Sequence, residues 1–229
     1  MNWVFTPPAP SYLEVVDSTA RFPVQRVFCV GRNYAEHAQE MGHSGREDPF
    51  FFCKPAQVIL PIGSDGKGVM PYPSQTKNLQ HEVELVVALA QGGRDLSTAQ
   101  AAQAIYGYAV GLDMTRRDLQ AQAKELGRPW ELGKSFDAAA IIGPIAPTTQ
   151  VLDSGDIRLY INDELRQQGN LNQMIWPVAE AIAFLSRYIT LLPGDVLMTG
   201  TPAGVSTIHK GDQLRAEIDG FTPLHISVK

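Results

Sequence analysis

Apolar residues along this chain recur mainly with the period of two that is typical of β-strands. The runs are short, rich in Val, Ile, Leu and Phe, and bounded by turn-forming residues, which is the pattern of half-buried or fully buried strands. They predict strands over residues 26–30, 50–54, 82–90, 106–112, 157–162, 196–199, 213–218 and 222–228. The pair Asp219 and Gly220 between the last two runs favours a hairpin turn.

Helical patterns are fewer, and local signals mark where they begin. Ser97 and Gln100 have the spacing of a capping box, and Pro177 suits the first turn of a helix. Helices are therefore predicted over residues 99–105, from Thr115 to about Gly127, from about Pro177 onward, and over residues 35–41. Because strands dominate and do not alternate regularly with helices, we expect an α+β, mainly β fold: a mixed sheet with a few covering helices.

Residues 1–23 differ from the rest of the chain. They contain Pro7, Pro8, Pro10 and Pro23 and show no clear period, so we expect a short, irregular N-terminal arm before one folded domain at 24–229. The length of 229 residues is sufficient for that domain to bury a substantial core.

Composition narrows the possible partners. The formal net charge is −5 with no long basic run, which argues against nucleic acid as a partner. No apolar stretch is long enough to span a bilayer, and the N-terminus lacks the pattern of a secretory signal. Cys29 and Cys53 lie in apolar, strand-like runs and are expected to be buried, reduced thiols. These features favour a cytoplasmic protein with no membrane partner.

The segment HEVELVVAL places two acids in an otherwise apolar strand. Glu82 and Glu84 are two residues apart, so their side chains leave the same face of the strand. Asp113 ends another strand-like run, GYAVGLD. Three carboxylates favour a hard, oxygen-liking ion such as Mg²⁺, Mn²⁺ or Ca²⁺. The alternative is that Glu82 and Glu84 line the solvent face of an edge strand.

Other polar residues have the spacing of catalytic or binding groups. His37 and Glu40 are three apart on the predicted 35–41 helix, so Glu40 can orient His37 to take a proton from water. The alternative is an incidental surface pair. The polar segment 42–49 that follows suits a mobile lid.

Candidate substrate-binding groups come later in the chain. Arg117 and Gln120 share a helix face, Lys134 follows a turn, and Thr201 lies in the turn MTGTPAGV. Cations of this kind can hold a carboxylate or stabilise an enolate. Solvated surface charges and a simple tight turn are the alternatives.

Seven segments occur in the order known from one enzyme family: VGRNYAEHAQE, FFCKP, HEVELVV, GYAVGLDMTRRDLQ, GKSFD, LMTGTPAGV and KGDQLRAEIDG. From about residue 24 to the C-terminus the chain resembles the fumarylacetoacetate hydrolase family in its short bacterial form. The resemblance implies a catalytic domain at 24–229 with a mixed β-sandwich roll, usually present as a homodimer. It also implies the following roles: metal ligands Glu82, Glu84 and Asp113; a water-activating pair His37 and Glu40; and electrophilic or substrate-holding groups Arg117, Gln120, Lys134 and Thr201.

The activity implied by this resemblance is metal-dependent hydrolysis of the C–C bond of acylpyruvates in aromatic catabolism, with fumarylpyruvate giving fumarate and pyruvate. The alternatives on the same scaffold are oxaloacetate decarboxylation or tautomerisation, and isomerisation or hydration of catechol-pathway oxo-acids. The chain departs from many relatives at Gln80, where they have histidine, and at Ser206, where they have glycine.

Overall fold

A computed structural model describes residues 2–34, 47–148 and 150–229. Its strands are β1 (Tyr12–Glu14), β2 (Arg21–Pro23), β3 (Arg26–Gly31), β4 (Phe50–Lys54), β5 (Ile59–Pro61), β6 (Lys67–Met70), β7 (Leu79–Gln80), β8 (Val83–Leu89), β9 (Ile105–Asp113), β10 (Thr115–Arg116), β11 (Ala140–Ile142), β12 (Ala146–Pro147), β13 (Asp156–Ile161), β14 (Glu164–Asn170), β15 (Asp195–Met198), β16 (Thr207–Ile208), β17 (Gln213–Ile218) and β18 (Leu224–Val228). The α-helices of the same residues are α1 (Thr98–Gln103), α2 (Arg117–Glu125), α3 (Glu131–Lys134) and α4 (Val178–Tyr188), and single 3-10 turns cover Ala56–Val58 and Leu171–Gln173. The predicted helix 35–41 and residues 42–46 of the predicted lid lie outside the described residues.

The larger sheet is mixed and has β8 and β9 near its centre. Its strand order is β4-β3-β15-β8-β9-β11-β5, with β12 also paired to β9. The β15–β3 and β11–β5 pairs are parallel, whereas β8 runs antiparallel to both of its neighbours. Every residue of β8 is buried. The prediction of a mixed, mainly β fold is confirmed.

A second sheet covers one face of the first. Its order is β14-β13-β17-β18-β6. Leu85 and Val87 of β8 join Leu159 of β13 and Ile226 of β18 in one apolar cluster, and Ile182 of α4 extends it. The two sheets therefore form a sandwich, and each fully buried aliphatic side chain in it contributes on the order of 1.5–3 kcal/mol.

The other face of the larger sheet is lined with small residues and covered by the N-terminal hairpin. Ala88 and Ala109 lie on this face, and Leu13 and Phe22 of the β1–β2 hairpin pack in the same cluster. The prediction that residues 1–23 are irregular was therefore wrong for these two strands. Their apolar residues are too few for the period to stand out, and the strands gain stability from the sheet beneath them.

The strands and helices predicted within the described residues are present to within a few residues, with two corrections to other details. Thr115 belongs to β10 rather than to a helix cap, and α2 begins at Arg117. Cys29 is buried, but Cys53 is exposed, because the end of β4 turns its side chain outward. Within the described ranges, helices are all too short or too polar to cross a membrane.

The buried face of β8 provides a test of this sandwich. Replacing Leu85 by Ala removes a fully buried side chain between the two sheets, and we expect the free energy of unfolding to fall by about 2–5 kcal/mol. The matched control is Leu165→Ala in β14, where the side chain is 43% exposed and the loss should stay below about 1 kcal/mol. Urea denaturation measures both, and equal losses would contradict the packing.

Candidate active site

Three carboxylates meet where β8 begins and β9 ends. Val83 pairs with Leu112 and Glu84 with Gly111, so Asp113 lies beside Glu82, whose carbonyl accepts its backbone N–H at 2.9 Å. The carboxylate oxygens of Glu82, Glu84 and Asp113 lie within 4.8 Å of one another. All three residues are at most 5% exposed, so the alternative of a solvent-facing edge strand is wrong.

Two buried lysines neutralise part of this negative charge. Lys134, at the end of α3, donates hydrogen bonds from Nζ to Glu82 Oε2 at 2.6 Å and Asp113 Oδ2 at 2.8 Å. Although burial opposes it, the charges of Asp113 and Glu82 raise the pKa of Lys134 above its usual value. Lys54 Nζ lies 2.8 Å from Asp113 Oδ1 and donates to the carbonyls of Met114 and Lys134.

Lys54 was missed as a site residue, although the FFCKP segment contains it. A lysine that closes an apolar strand is as compatible with a solvated strand end as with a buried ion pair. Lysine is almost never buried without a partner, and the partner of Lys54 is contributed by β9, far along the sequence.

Glu84 is the one of the three carboxylates that has no counterion among the described residues. It accepts a backbone hydrogen bond from Gly200 at 2.8 Å and forms no ion pair with any of the described residues. Burial, followed by the charges of Asp113 and Glu82, raises the pKa of Glu84 well above its usual value. A cluster of carboxylate oxygens with one member uncompensated fits a hard divalent cation. Glu82, Glu84 and Asp113 can thus hold such an ion.

Arg117 and Gln120 share one face of α2, as predicted, and both reach the site. Arg117 donates from Nη2 to Glu82 Oε1 at 2.5 Å and from Nη1 to Gln120 Oε1 at 2.7 Å. Its third contact, from Nε to Gln80 Oε1 at 2.6 Å, was not foreseen. Gln80 lies in β7, the middle strand of a small sheet with the order β10-β7-β16, and so stands at a fixed position beside α2.

Thr201 is buried next to the carboxylates, but its hydroxyl group already has partners. Its Oγ1 donates to the Val83 carbonyl at 2.7 Å and accepts from Gln167 Nε2 at 2.7 Å. Thr201 therefore ties the turn after β15 to the start of β8. The hydroxyl group can still accept one more hydrogen bond, but it can donate to a substrate only if its bond to the Val83 carbonyl is broken.

His81 is buried, and each of its ring nitrogens has a hydrogen-bond partner, so it is not free to bind a metal ion. Burial lowers the pKa of His81 to about 4, so the ring is neutral near pH 7. Gln167 Oε1 accepts from Val83 N and lies 2.8 Å from His81 Nδ1. That oxygen is an acceptor, so Nδ1 carries the proton and Nε2 accepts from Ser206 Oγ at 2.9 Å. Ser206 stands where the family resemblance predicts a glycine, and its hydroxyl group donates this hydrogen bond to His81.

A cavity opens from the carboxylates toward solvent. It encloses about 390 Å³, including the space at its mouth. Besides the groups already described, its walls contain Arg32, Phe50, Phe52, Lys124 and Trp130. Its mixed charged and aromatic lining is typical of a small-molecule site.

The predicted pair His37 and Glu40 lies outside the described residues, so its role remains a prediction. The preceding residue Tyr34 is buried, and its hydroxyl has no hydrogen-bond partner among the described atoms. Burial and then the charge of Glu84 raise the pKa of Tyr34. Tyr34, the last described residue before this segment, therefore lies close enough to Glu84 to feel its charge.

Comparison with known proteins places this geometry among related enzymes. The sequence model of the fumarylacetoacetate (FAA) hydrolase C-terminal family matches residues 26–229. Fumarylpyruvate hydrolase from Pseudomonas aeruginosa, solved with Mn²⁺ and pyruvate, is 48% identical with a TM-score of 0.96 over 99% of both chains. The 5-carboxymethyl-2-hydroxymuconate delta-isomerase of Mycobacterium smegmatis is 33% identical with a TM-score of 0.78, over 90% of this chain and 80% of its own.

Sequence similarity also extends to a second activity. The mitochondrial oxaloacetate tautomerase of Mus musculus is 39% identical over 207 residues, which are 90% of this chain and 92% of that protein.

The lone carboxylate provides a test of metal binding. Glu84→Gln keeps an oxygen for the Gly200 N–H but removes a buried charge, so in chelator the variant should be at least as stable as the wild type. With Mg²⁺ or Mn²⁺ at about 100 times the Kd, the wild type should gain about 2.7 kcal/mol and the variant far less. Thermal unfolding measures both effects.

The matched control is Glu125→Gln on the exposed end of α2, which should respond to metal as the wild type does. A Glu84→Gln variant that is stabilised by metal as strongly as the wild type would exclude Glu84 as a ligand.

Proposed function

This chain belongs to the fumarylacetoacetate hydrolase family, and on that premise we propose that it is a metal-dependent hydrolase of acylpyruvates, with fumarylpyruvate as its substrate and fumarate and pyruvate as products. The observation that carries the proposal is the buried group of Glu82, Glu84 and Asp113 at the base of a cavity that also holds Lys134 and Arg117. The 48% identity to a fumarylpyruvate hydrolase over nearly the whole chain supports the choice of substrate.

The cofactor in this proposal is Mg²⁺ or Mn²⁺, with Ca²⁺ as a less suitable ion, held by the same three carboxylates. When bound, it supplies Lewis-acid polarisation of the neighbouring oxo groups and offsets negative charge on the oxygen atoms. The donor set is all oxygen, and Glu84 has no other countercharge among the described residues, which supports a hard divalent ion.

The residues of the chain carry out the remaining steps of the reaction. His37, oriented by Glu40, takes a proton from a water molecule, and the oxygen of that water attacks the ketone distal to the pyruvate unit. Lys134 and Arg117 offset the charge that develops on the substrate, and Gln120 and Thr201 help to orient it. The C–C bond breaks to release a carboxylic acid and the enolate of pyruvate, which takes up a proton at its methylene carbon.

A second candidate is oxaloacetate tautomerase or decarboxylase activity, favoured by the 39% identity to a curated tautomerase. Decarboxylation releases CO2 and gives the same enolate of pyruvate, whereas tautomerisation moves a proton between C3 and the 2-oxo oxygen of oxaloacetate. In neither reaction does water attack a ketone. The isomerase among the similar structures makes isomerisation or hydration of catechol-pathway oxo-acids a further possibility. These three classes of reaction differ in what happens to the part of the substrate distal to the pyruvate unit.

The setting of the enzyme is also part of the proposal. We assign it to the degradation of aromatic compounds in the cytoplasm, as a homodimer, with a catalytic domain over residues 24–229 that follows the N-terminal segment. The acylpyruvate substrate class supports the pathway. Light scattering on the purified protein would test the dimer, since a mass near twice 25.1 kDa is expected.

The function is tested by assaying the chelator-stripped protein with fumarylpyruvate and, separately, with oxaloacetate, each with and without Mg²⁺ or Mn²⁺. We expect metal-dependent loss of the enol–diketone absorbance with equal release of fumarate and pyruvate. Turnover of oxaloacetate alone would favour the second candidate. Turnover of neither substrate by the metal-loaded protein would refute both.

Replacing His37 by Ala tests the water-activating pair. We expect kcat for fumarylpyruvate to fall by about 10²–10⁴-fold, because a general base is lost, while the thermal shift caused by metal stays at the wild-type value. The matched control is His209→Ala, at an exposed position, which should retain full activity. Unchanged kcat in the His37 variant would remove this residue from the mechanism.

A further inference from the structure

A second group of cations lines the cavity besides those bound to the carboxylates. Arg32 and Lys124, which we call the outer cation pair, line the cavity together with the rings of Phe50, Phe52 and Trp130. Arg32 follows β3 and Lys124 lies in the last turn of α2, so the pair is brought together by the fold. None of the steps of C–C cleavage described above uses these two residues.

The inner cations are already bound to protein acceptors. Each of the three nitrogens of the Arg117 guanidinium donates to a side chain, namely those of Gln80, Gln120 and Glu82. Lys134 bridges Glu82 and Asp113, and Lys54 is paired with Asp113. An anion that approaches from solvent therefore meets inner cations whose charge is largely compensated.

The outer cation pair has no such compensation. Neither Arg32 nor Lys124 forms an ion pair with a carboxylate of the described residues. Arg32 Nε is buried and has no hydrogen-bond partner among them. Burial, and then the positive charges of Arg117 and Arg32, lower the pKa of Lys124 to about 8. A net positive charge thus remains at this end of the cavity, where a bound anion would be stabilised.

Aromatic rings connect the two groups of cations. The ring of Trp130 meets that of Phe50 edge-on at 5.4 Å and lies 6.0 Å from that of Phe52. Lys134 Nζ is 5.1 Å from the Phe52 centroid, Lys124 Nζ is 5.1 Å from the Trp130 centroid, and the Arg32 guanidinium is 5.4 Å from the Phe50 centroid. The rings thus form an apolar surface that begins beside Lys134 and ends at Lys124 and Arg32. Such a surface suits a flat carbon chain that carries an anionic group at its far end.

The backbone conformation at Arg32 is restricted. Arg32 has a φ of 58°, a left-handed conformation that costs free energy at residues other than glycine. A Cβ atom on the preceding Gly31 would lie 2.0 Å from Cζ of the Phe50 ring. Glycine at 31 thus lets the ring pack against the backbone just before Arg32.

We propose that Arg32 and Lys124 bind a second carboxylate, at the far end of the substrate, so that the enzyme prefers acylpyruvates whose acyl group itself ends in an acid. The planar chain between the two acidic ends lies against Phe50, Phe52 and Trp130. The proposal rests on the function proposed above and specifies the substrate class: dicarboxylic rather than monocarboxylic acylpyruvates. The inner groups hold the pyruvate unit, and the outer cation pair sets the specificity.

Kinetics of two substrates test this selectivity. Fumarylpyruvate ends in a carboxylate, whereas acetylpyruvate ends in a methyl group. For the wild type we expect kcat/KM to be at least about tenfold higher for fumarylpyruvate, as for one charge-assisted hydrogen bond. Arg32→Gln and Lys124→Met should each lower the ratio of the two kcat/KM values by about tenfold, mostly through KM. Arg128→Gln, at an exposed position just after α2, is the matched control and should leave the ratio unchanged.

Binding of two uncleavable acids separates this proposal from the proposed function. 2-Oxoheptanedioate and 2-oxoheptanoate have equal chain lengths and no second ketone, and only the first has a distal carboxylate. Calorimetry on the Mn²⁺-loaded wild type should show about tenfold tighter binding of the diacid, and both variants should lose most of that preference.

Equal affinity of the wild type for the two acids would overturn the outer subsite, even if acylpyruvates are hydrolysed. A preference for the diacid that both variants retain would likewise exclude Arg32 and Lys124. A preference that the variants lose, in a protein that hydrolyses neither acylpyruvate, would leave the subsite standing and refute the proposed function.

Discussion

The burial of three carboxylates next to one another is the constraint on which the rest of the site depends. Removing each charge from water is costly, and their mutual repulsion adds to that cost. The fold offsets the cost with three cations from different parts of the chain, of which the two lysines are buried: Lys54 at the end of β4, Arg117 at the start of α2 and Lys134 at the end of α3. The strand order of the larger sheet and the position of α2 and α3 beside β10, which follows β9, allow these residues to converge.

Several parts of this arrangement were accessible from the sequence because they depend on local spacing. Glu82 and Glu84 are two apart on a strand, and Arg117 and Gln120 are three apart on a helix, so each pair shares a face by geometry alone. The main strands and the capped helix at Ser97 were predictable for the same reason. Asp113 was predictable as a third carboxylate because it closes an apolar run. That run forms β9, which ends at the same residue.

The missed residues share a different property, which is that their partners are remote in sequence. Gln167 lies in the polar strand β14, yet it is fully buried because its amide group bonds to Val83, Thr201 and His81. In the sequence, Gln80 is a neutral residue at a position where the family resemblance predicts histidine. Only the position of β7 beside α2 shows that Gln80 accepts a hydrogen bond from Arg117. A polar side chain gives no periodic signal of its burial, and only the tertiary structure supplies the acceptors and donors that make such burial favourable.

The bridging position of Lys134 has a consequence for how the protein acquires its ion. Its ammonium group is bound to two of the three carboxylates, so it acts as a tethered competitor for the oxygens that a free cation would need. A competitor that is always present lowers the apparent affinity of every ion by the same factor. Ions that are scarce or bind weakly are thereby excluded. The metal concentration at which the site is half filled then depends on the strength of the Lys134 ion pairs as well as on the chemistry of the metal.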